Sequence, residues 1–69
     1  MSRLELLGQN IKKYRNKIGM SQEVLAGFVG VSREYILRIE KGQKSLSLKK
    51  LFQVADVLKI KISDLMNFD

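Results

Sequence analysis

Charged side chains suited to polar recognition are concentrated in the stretch VSREYILRIEKG, residues 31–42. This stretch contains two arginines, Arg33 and Arg38, and two glutamates, Glu34 and Glu40. A guanidinium presents a planar fork of N–H donors that matches a carboxylate, a phosphate or another planar pair of acceptors. Because a solvated helix surface carries the same charges, these four residues do not by themselves predict binding.

The composition excludes several kinds of site. The chain has 69 residues, no cysteine and no histidine, so a disulfide framework and a zinc site with the usual nitrogen and sulfur ligands are excluded. The sequence has no cluster of carboxylates and no phosphate-binding loop, and we therefore expect no catalytic residue, no cofactor and no enzymatic activity. We also expect no small-molecule ligand, because a chain of this length leaves no room for a ligand-sensing domain.

The charge balance favours an anionic partner. Thirteen Lys and Arg against seven Asp and Glu give a formal net charge of +6, which is typical of proteins that bind nucleic acid or an anionic membrane surface. The first twenty residues carry several charges, and no apolar run reaches the ~18 residues that a membrane span needs. We therefore expect a cytoplasmic protein without membrane contact.

The sequence around the charged stretch predicts helices. Apolar residues recur at helical spacing, and serines stand where N-caps are expected, at Ser21, Ser32 and Ser47. These signals predict an all-α fold of five helices, with the first at about residues 3–18 and the last at about residues 62–67. The apolar residues that we expect to face inward from the first, second and fourth helices are Leu4, Leu7, Ile11, Tyr14 and Ile18; Leu25, Phe28 and Val29; and Leu48, Leu51, Phe52, Ala55 and Leu58.

The spacing between the second and third helices predicts a helix-turn-helix unit, in which two short helices are joined by a tight turn. Ala26 is small enough to let the two helices cross closely, and Gly30 stands where the turn needs a positive φ. The positions that should be buried between the helices are all apolar: Leu25, Val29, Val31, Ile36 and Ile39.

These residues carry a family resemblance. SQEVLAGFVGVSREYILRIEKG, followed by SLKKLFQVADVLKIKISDLM, resembles the XRE family of bacterial and phage regulators from about Leu4 to Met66. The resemblance implies a lambda-repressor-like bundle, with residues 1–69 forming one DNA-binding domain that ends in a dimerisation helix. SREYILRIEKG is also similar to a pattern found in controller proteins of restriction–modification systems. Gly27 and Lys59 depart from the family pattern, the latter because a glycine often ends the fourth helix.

The resemblance implies that the third helix enters the major groove of double-stranded DNA. The residues then expected to contact bases are Ser32, Arg33, Glu34, Tyr35 and Arg38, and those expected to contact phosphate are Gln22, Lys44, Ser45 and Lys49. Glu34 has two interpretations, a helix cap or an acceptor for cytosine N4. Tyr35 can equally lie at the edge of the core. Arg15 and Glu40 match a family ion pair that holds the third helix at its docking angle.

The C-terminal residues predict a partner surface. Ile60, Ile62, Leu65, Met66 and Phe68 lie close together, and a domain of five helices cannot bury them all. With the resemblance, this favours a homodimer through Leu65, Met66 and Phe68 that binds a palindromic operator. Alternatives are a phage or plasmid repressor, or a DNA-binding antitoxin that acts with a protein partner. Glu23 is a candidate contact for RNA polymerase.

Overall fold

Serine caps begin four of the helices in the computed structural model, which describes residues 1–68. The hydroxyl oxygens of Ser2, Ser21, Ser32 and Ser47 each accept a hydrogen bond from the backbone N–H three residues later. The helices are α1 (Arg3–Lys17), α2 (Gln22–Val29), α3 (Arg33–Glu40), α4 (Leu48–Leu58) and α5 (Ile62–Leu65). The predicted all-α, five-helix fold is confirmed, and residues 1–68 contain no strand.

The cap of α1 is reciprocal. The Glu5 N–H donates to the Ser2 hydroxyl, and the Ser2 backbone N–H donates to the Glu5 carboxylate at 3.0 Å. The bond from the Ser2 backbone N–H above all, and the Ser2 side chain after it, lower the pKa of Glu5 because they favour the charged carboxylate. The two bonds therefore satisfy two backbone N–H groups at the start of α1.

Left-handed residues end α2 and α4. Gly30 ends α2 at φ 76°, a conformation that costs glycine almost nothing. Lys59 ends α4 at φ 59° and is the one non-glycine residue with a positive φ among those described. The lysine therefore adopts the conformation that a glycine would adopt more easily, at a cost of about 1 kcal/mol.

The core receives side chains from all five helices. α3 packs against α1 and α2, α4 packs against α2, and α5 packs against α1 and α4. Gly8 lies where α1 crosses the C-terminal end of α3: a Cβ on it would overlap the carbonyl oxygen of Ile39 and lie 2.7 Å from that of Glu40. The largest fully buried side chains are those of Ile11, Leu25, Val29, Ile36, Val54, Leu58 and Leu65.

Some residues predicted to face inward are exposed, so those predictions are wrong. Phe28 is 65% exposed and Phe52 is 48% exposed. Leu25, Ala26 and Val29 set the buried face of α2. Phe28 is about 100° around the helix from Val29, on the side away from Ala26, and so lies outside that face. On α4 the inner row includes Val54, which is fully buried. The others found exposed are Leu4, Ile18 and Leu48.

The burial of Leu65 corrects one predicted dimer contact. Its side chain is fully buried, and its carbonyl oxygen accepts a hydrogen bond of 2.8 Å from Asn10 Nδ2 of α1. A side chain inside the core cannot contact a second chain, so Leu65 belongs to the scaffold. Met66 is 44% exposed, whereas Phe68 is half-buried against the core.

Candidate nucleic-acid interface

The helix-turn-helix unit has the close crossing that its sequence predicts. Ala26 is buried, and its carbonyl oxygen accepts hydrogen bonds from the N–H groups of both Gly30 and Val31, at 2.9 and 3.0 Å. Leu25, Val29, Ile36 and Ile39 are buried, and Val31 is half-buried. The turn therefore brings the N-terminus of α3 out of the core while its C-terminal half stays packed.

The N-terminal turn of α3, together with Arg38 in its last turn, presents polar side chains to solvent. Ser32, Arg33, Glu34 and Arg38 are all exposed, and Tyr35 is half-buried. The guanidinium of Arg33, the first residue of α3, has no hydrogen-bond or ion-pair partner within residues 1–68. It is therefore available to an external pair of acceptors without breaking an internal bond.

Arg38 differs from Arg33 because it is already paired. Its Nε and Nη2 atoms donate to Glu34 Oε1 at 3.3 and 3.1 Å, one helical turn away. The cap bond at this end of α3 is instead supplied by Ser32, whose hydroxyl accepts from the Tyr35 N–H. The structure thus adds an ion pair to the two interpretations of Glu34.

Tyr35 connects α3 to the loop that follows it. Its ring packs against the core, and its hydroxyl donates to the carbonyl oxygen of Ser45 at 2.7 Å. This geometry is compatible with both interpretations of Tyr35, because the ring lies at the edge of the core while the hydroxyl is exposed where DNA could contact it. The bond holds the loop beside α3, and with it the exposed side chains of Lys44 and Ser45.

The Arg15–Glu40 pair forms a buried node between α1, α2 and α3. Arg15 Nε donates to Glu40 Oε2 at 2.7 Å and Nη2 donates to Oε1 at 3.0 Å, with side chains only 8% and 3% exposed. Nη1 of the same arginine donates to the Met20 carbonyl oxygen. Gln22 Nε2 donates to Glu40 Oε1 at 3.0 Å. The amide of Gln22 is thus engaged inside the protein, whereas its backbone N–H lies in the first turn of α2, where helical N–H groups have no acceptor within the helix.

Lys50 is a positioning residue that the sequence did not predict. Its Nζ donates to the carbonyl oxygen of Val29 at 2.6 Å, at the end of α2. α2 has no basic residue in its own last turn, so Lys50 places a cation at the negative end of the helix. The absence of a basic residue from the last turn of α2 is the one feature of the sequence that indicates such a contact. Lys49, the adjacent predicted phosphate contact, is exposed.

Two other kinds of site find no support in the described part of the chain. Residues 1–68 contain no group of three or more acidic, histidine or cysteine side chains that could hold a metal ion. None of the helices within those residues combines the length and the apolar character that crossing a membrane requires.

Comparison with known proteins agrees with the geometry. Residues 11–65 match the helix-turn-helix family. An uncharacterised HTH-type transcriptional regulator of Archaeoglobus fulgidus is 48% identical over 59 residues, which cover 86% of this chain and 83% of that protein. Control protein C.SmaI of Serratia marcescens is 34% identical, over 90% of this chain and 74% of that protein. The crystal structure of the restriction–modification controller protein C.AhdI from Aeromonas hydrophila superimposes with a TM-score of 0.85 at 35% identity, over 90% of this chain and 94% of that one.

Proposed function

Because the chain belongs to the XRE family of DNA-binding, helix-turn-helix transcriptional regulators, we propose that it binds a palindromic operator as a homodimer, with α3 in the major groove. The observation that carries this proposal is the exposed N-terminal turn of α3, where the Arg33 guanidinium is unpaired within the described chain. The buried node of Arg15 and Glu40 supports it, since it holds the other end of α3.

Arg33 is the proposed principal base contact. A guanidinium at the entering end of the helix can donate two hydrogen bonds to guanine O6 and N7. Ser32, Glu34, Tyr35 and Arg38 are proposed to contact neighbouring bases. The proposed phosphate contacts flank the groove: the backbone N–H of Gln22 on one side, and Lys44, Ser45 and Lys49 on the other.

Met66 and Phe68 are the proposed dimer contacts. Together with Arg3, Leu4 and Leu7 they line a largely apolar groove of about 340 Å³ at the junction of α1 and α5. A second copy related by a two-fold axis would cover apolar surface there and place the two α3 helices about 34 Å apart, one turn of DNA. The net charge of +6 suits this assembly to DNA more than to a protein surface of mixed charge.

A restriction–modification controller is the regulator class that we propose. The similarity to C.SmaI and C.AhdI, over nine-tenths of the chain in each case, supports it. In such a role Glu23, exposed in the first turn of α2, is the candidate contact for RNA polymerase. A phage or plasmid repressor would share every DNA contact and differ only in the genes beside the operator.

Selection of bound duplexes from a random pool tests the DNA contacts. We expect a palindromic consensus, and equal recovery of all sequences would refute the proposal. Arg33→Ala should cost about 1–3 kcal/mol and relax the preference at one base pair, whereas Lys44→Ala should weaken all duplexes and lower the salt slope by about 1. Lys12→Ala, which removes an exposed cation of α1, is the matched control. It should change neither the base-pair preference nor the salt slope.

Sedimentation tests the dimer. Met66→Glu places a charge in the apolar groove and should yield a monomer. Phe28→Glu makes a similar change at an exposed apolar residue of α2 and should leave the dimer intact. If Met66→Glu sediments as the wild type does, the two-fold contact lies elsewhere.

A further inference from the structure

The ion pair between Glu34 and Arg38 lies on the outward surface of α3, away from the core. The Glu34 side chain is 68% exposed and the Arg38 side chain is 49% exposed. Exposed pairs one turn apart contribute little to stability, and Ser32 already supplies the cap bond of this helix. The consequence of the pair is therefore electrostatic, at the surface that the proposed function places against DNA.

The pair changes what Arg38 can offer to DNA. Its Nε and Nη2 donors, which form one edge of the guanidinium fork, both point at Glu34 Oε1. A phosphate can take this edge only by displacing the carboxylate, and the displaced carboxylate then lies unpaired in the negative potential of the duplex. A base edge that carries an amino donor removes that penalty, because the carboxylate can accept from it.

We propose that Glu34 determines specificity by competing with DNA for Arg38. On DNA without a suitable base, Glu34 keeps the guanidinium paired and so suppresses binding through phosphate alone. At the operator, Glu34 exchanges Arg38 for the N4 amino group of a cytosine, and Arg38 becomes free to bond the neighbouring base or phosphate. The two arginines of α3 thus differ in how they bind DNA: Arg38 must first give up its bond to Glu34, whereas Arg33 has no such bond to break. This inference rests on the proposed placement of α3 in the groove.

The test compares Glu34→Gln, Arg38→Gln and the double variant with the wild type. Binding to the selected operator and to a scrambled duplex is measured by fluorescence anisotropy across a fourfold range of salt concentration. Glu34→Gln frees one cation for phosphate, so the salt slope on scrambled DNA should steepen by about 0.9, equivalent to a further change in affinity of about 3.5-fold over that range. The ratio of operator to scrambled affinity should fall about threefold or more, because scrambled DNA gains Arg38 as a phosphate contact while the operator exchanges a charged carboxylate acceptor for the weaker amide oxygen of glutamine.

Asp56→Asn is the matched control. Asp56 is exposed on α4 and takes no part in the proposed DNA, polymerase or dimer contacts. Both substitutions add one unit of net charge, and only Glu34→Gln should change the slope on scrambled DNA. An equal effect of Asp56→Asn would overturn the inference in favour of net charge alone.

The double variant isolates the exchange. With Arg38 also replaced by glutamine there is no guanidinium to release, so the gain on scrambled DNA should vanish. A gain that persists in the Arg38→Gln background would mean that Glu34 acts by its own repulsion of phosphate, and the exchange would be refuted. A wild type that prefers no duplex over another is a different result, because it removes the proposed function itself.

Discussion

Replacing Gly8 by alanine should separate α1 from α3. An alanine Cβ at this position would overlap the Ile39 carbonyl oxygen and lie 2.7 Å from the Glu40 carbonyl oxygen, whereas ordinary contact begins at 3.4 Å. Both obstacles are backbone atoms, so no side-chain rotation relieves them. The two helices must therefore move apart by about 1 Å to accommodate the methyl group.

The expected cost follows from two opposing terms. Alanine in place of glycine within a helix contributes about 1 kcal/mol of stability. Overpacking against a rigid neighbour costs about 1–3 kcal/mol or more, and a backbone obstacle belongs at the upper end. We therefore expect Gly8→Ala to destabilise the fold by about 2 kcal/mol, and to weaken operator binding further because Glu40, which anchors α3 to Arg15, is one of the residues displaced.

Gly27→Ala supplies the matched control. Gly27 also lies within a helix, but nothing lies within 4 Å of a Cβ placed on it, so this variant should gain about 1 kcal/mol. Urea denaturation monitored by circular dichroism gives the free energy of unfolding of each variant. The two free energies should differ by about 3 kcal/mol. If both alanines stabilise the protein equally, the close approach of α1 and α3 is not as described.

Three further predictions concern the ion pairs and the helix ends. Glu40→Ala leaves the guanidinium of Arg15 buried without its carboxylate and should cost about 3 kcal/mol or more in urea denaturation, whereas Glu34→Ala, which breaks an exposed pair, should change stability by less than about 0.5 kcal/mol. Lys59→Gly should raise stability by about 0.5–1 kcal/mol, because glycine adopts φ 59° without strain; a loss would contradict the left-handed end of α4. The lowered pKa of Glu5 means that the charged carboxylate stabilises the cap of α1 above the ordinary glutamate pKa of 4.5 and loses this effect as the pH falls through the lowered value. The stability difference between the wild type and Glu5→Gln should therefore shrink in acid, and a difference that grows there would reverse the sign.

Local signals predicted the helices well. Ser21, Ser32 and Ser47 each cap the helix that their position predicted, because capping depends on a few neighbouring residues. Apolar spacing was less reliable at Phe28 and Phe52, which are exposed, since the spacing does not fix how far around a helix the neighbouring helices cover it.

Contacts between distant parts of the chain were the least accessible to sequence reasoning. Leu65 was predicted at a dimer interface, yet α1 and α4 enclose it and Asn10 bonds its carbonyl group. The bond from Lys50 to Val29 joins residues 21 positions apart. The Arg15–Glu40 pair was anticipated only through a family resemblance, while the bond of Gln22 to the same carboxylate was not anticipated.

That bond bears on how association with DNA proceeds. Glu40 accepts from Gln22 at the start of α2 and from Arg15 at the end of α1, so the spacing between the N-terminus of α2 and the axis of α3 is set when the chain folds. The conformational entropy of aligning the proposed phosphate-binding end of α2 with the proposed groove-binding helix α3 is consequently lost during folding and not again on association. We expect free and DNA-bound backbones of this unit to superimpose closely, with encounter governed by long-range electrostatic attraction more than by an internal rearrangement.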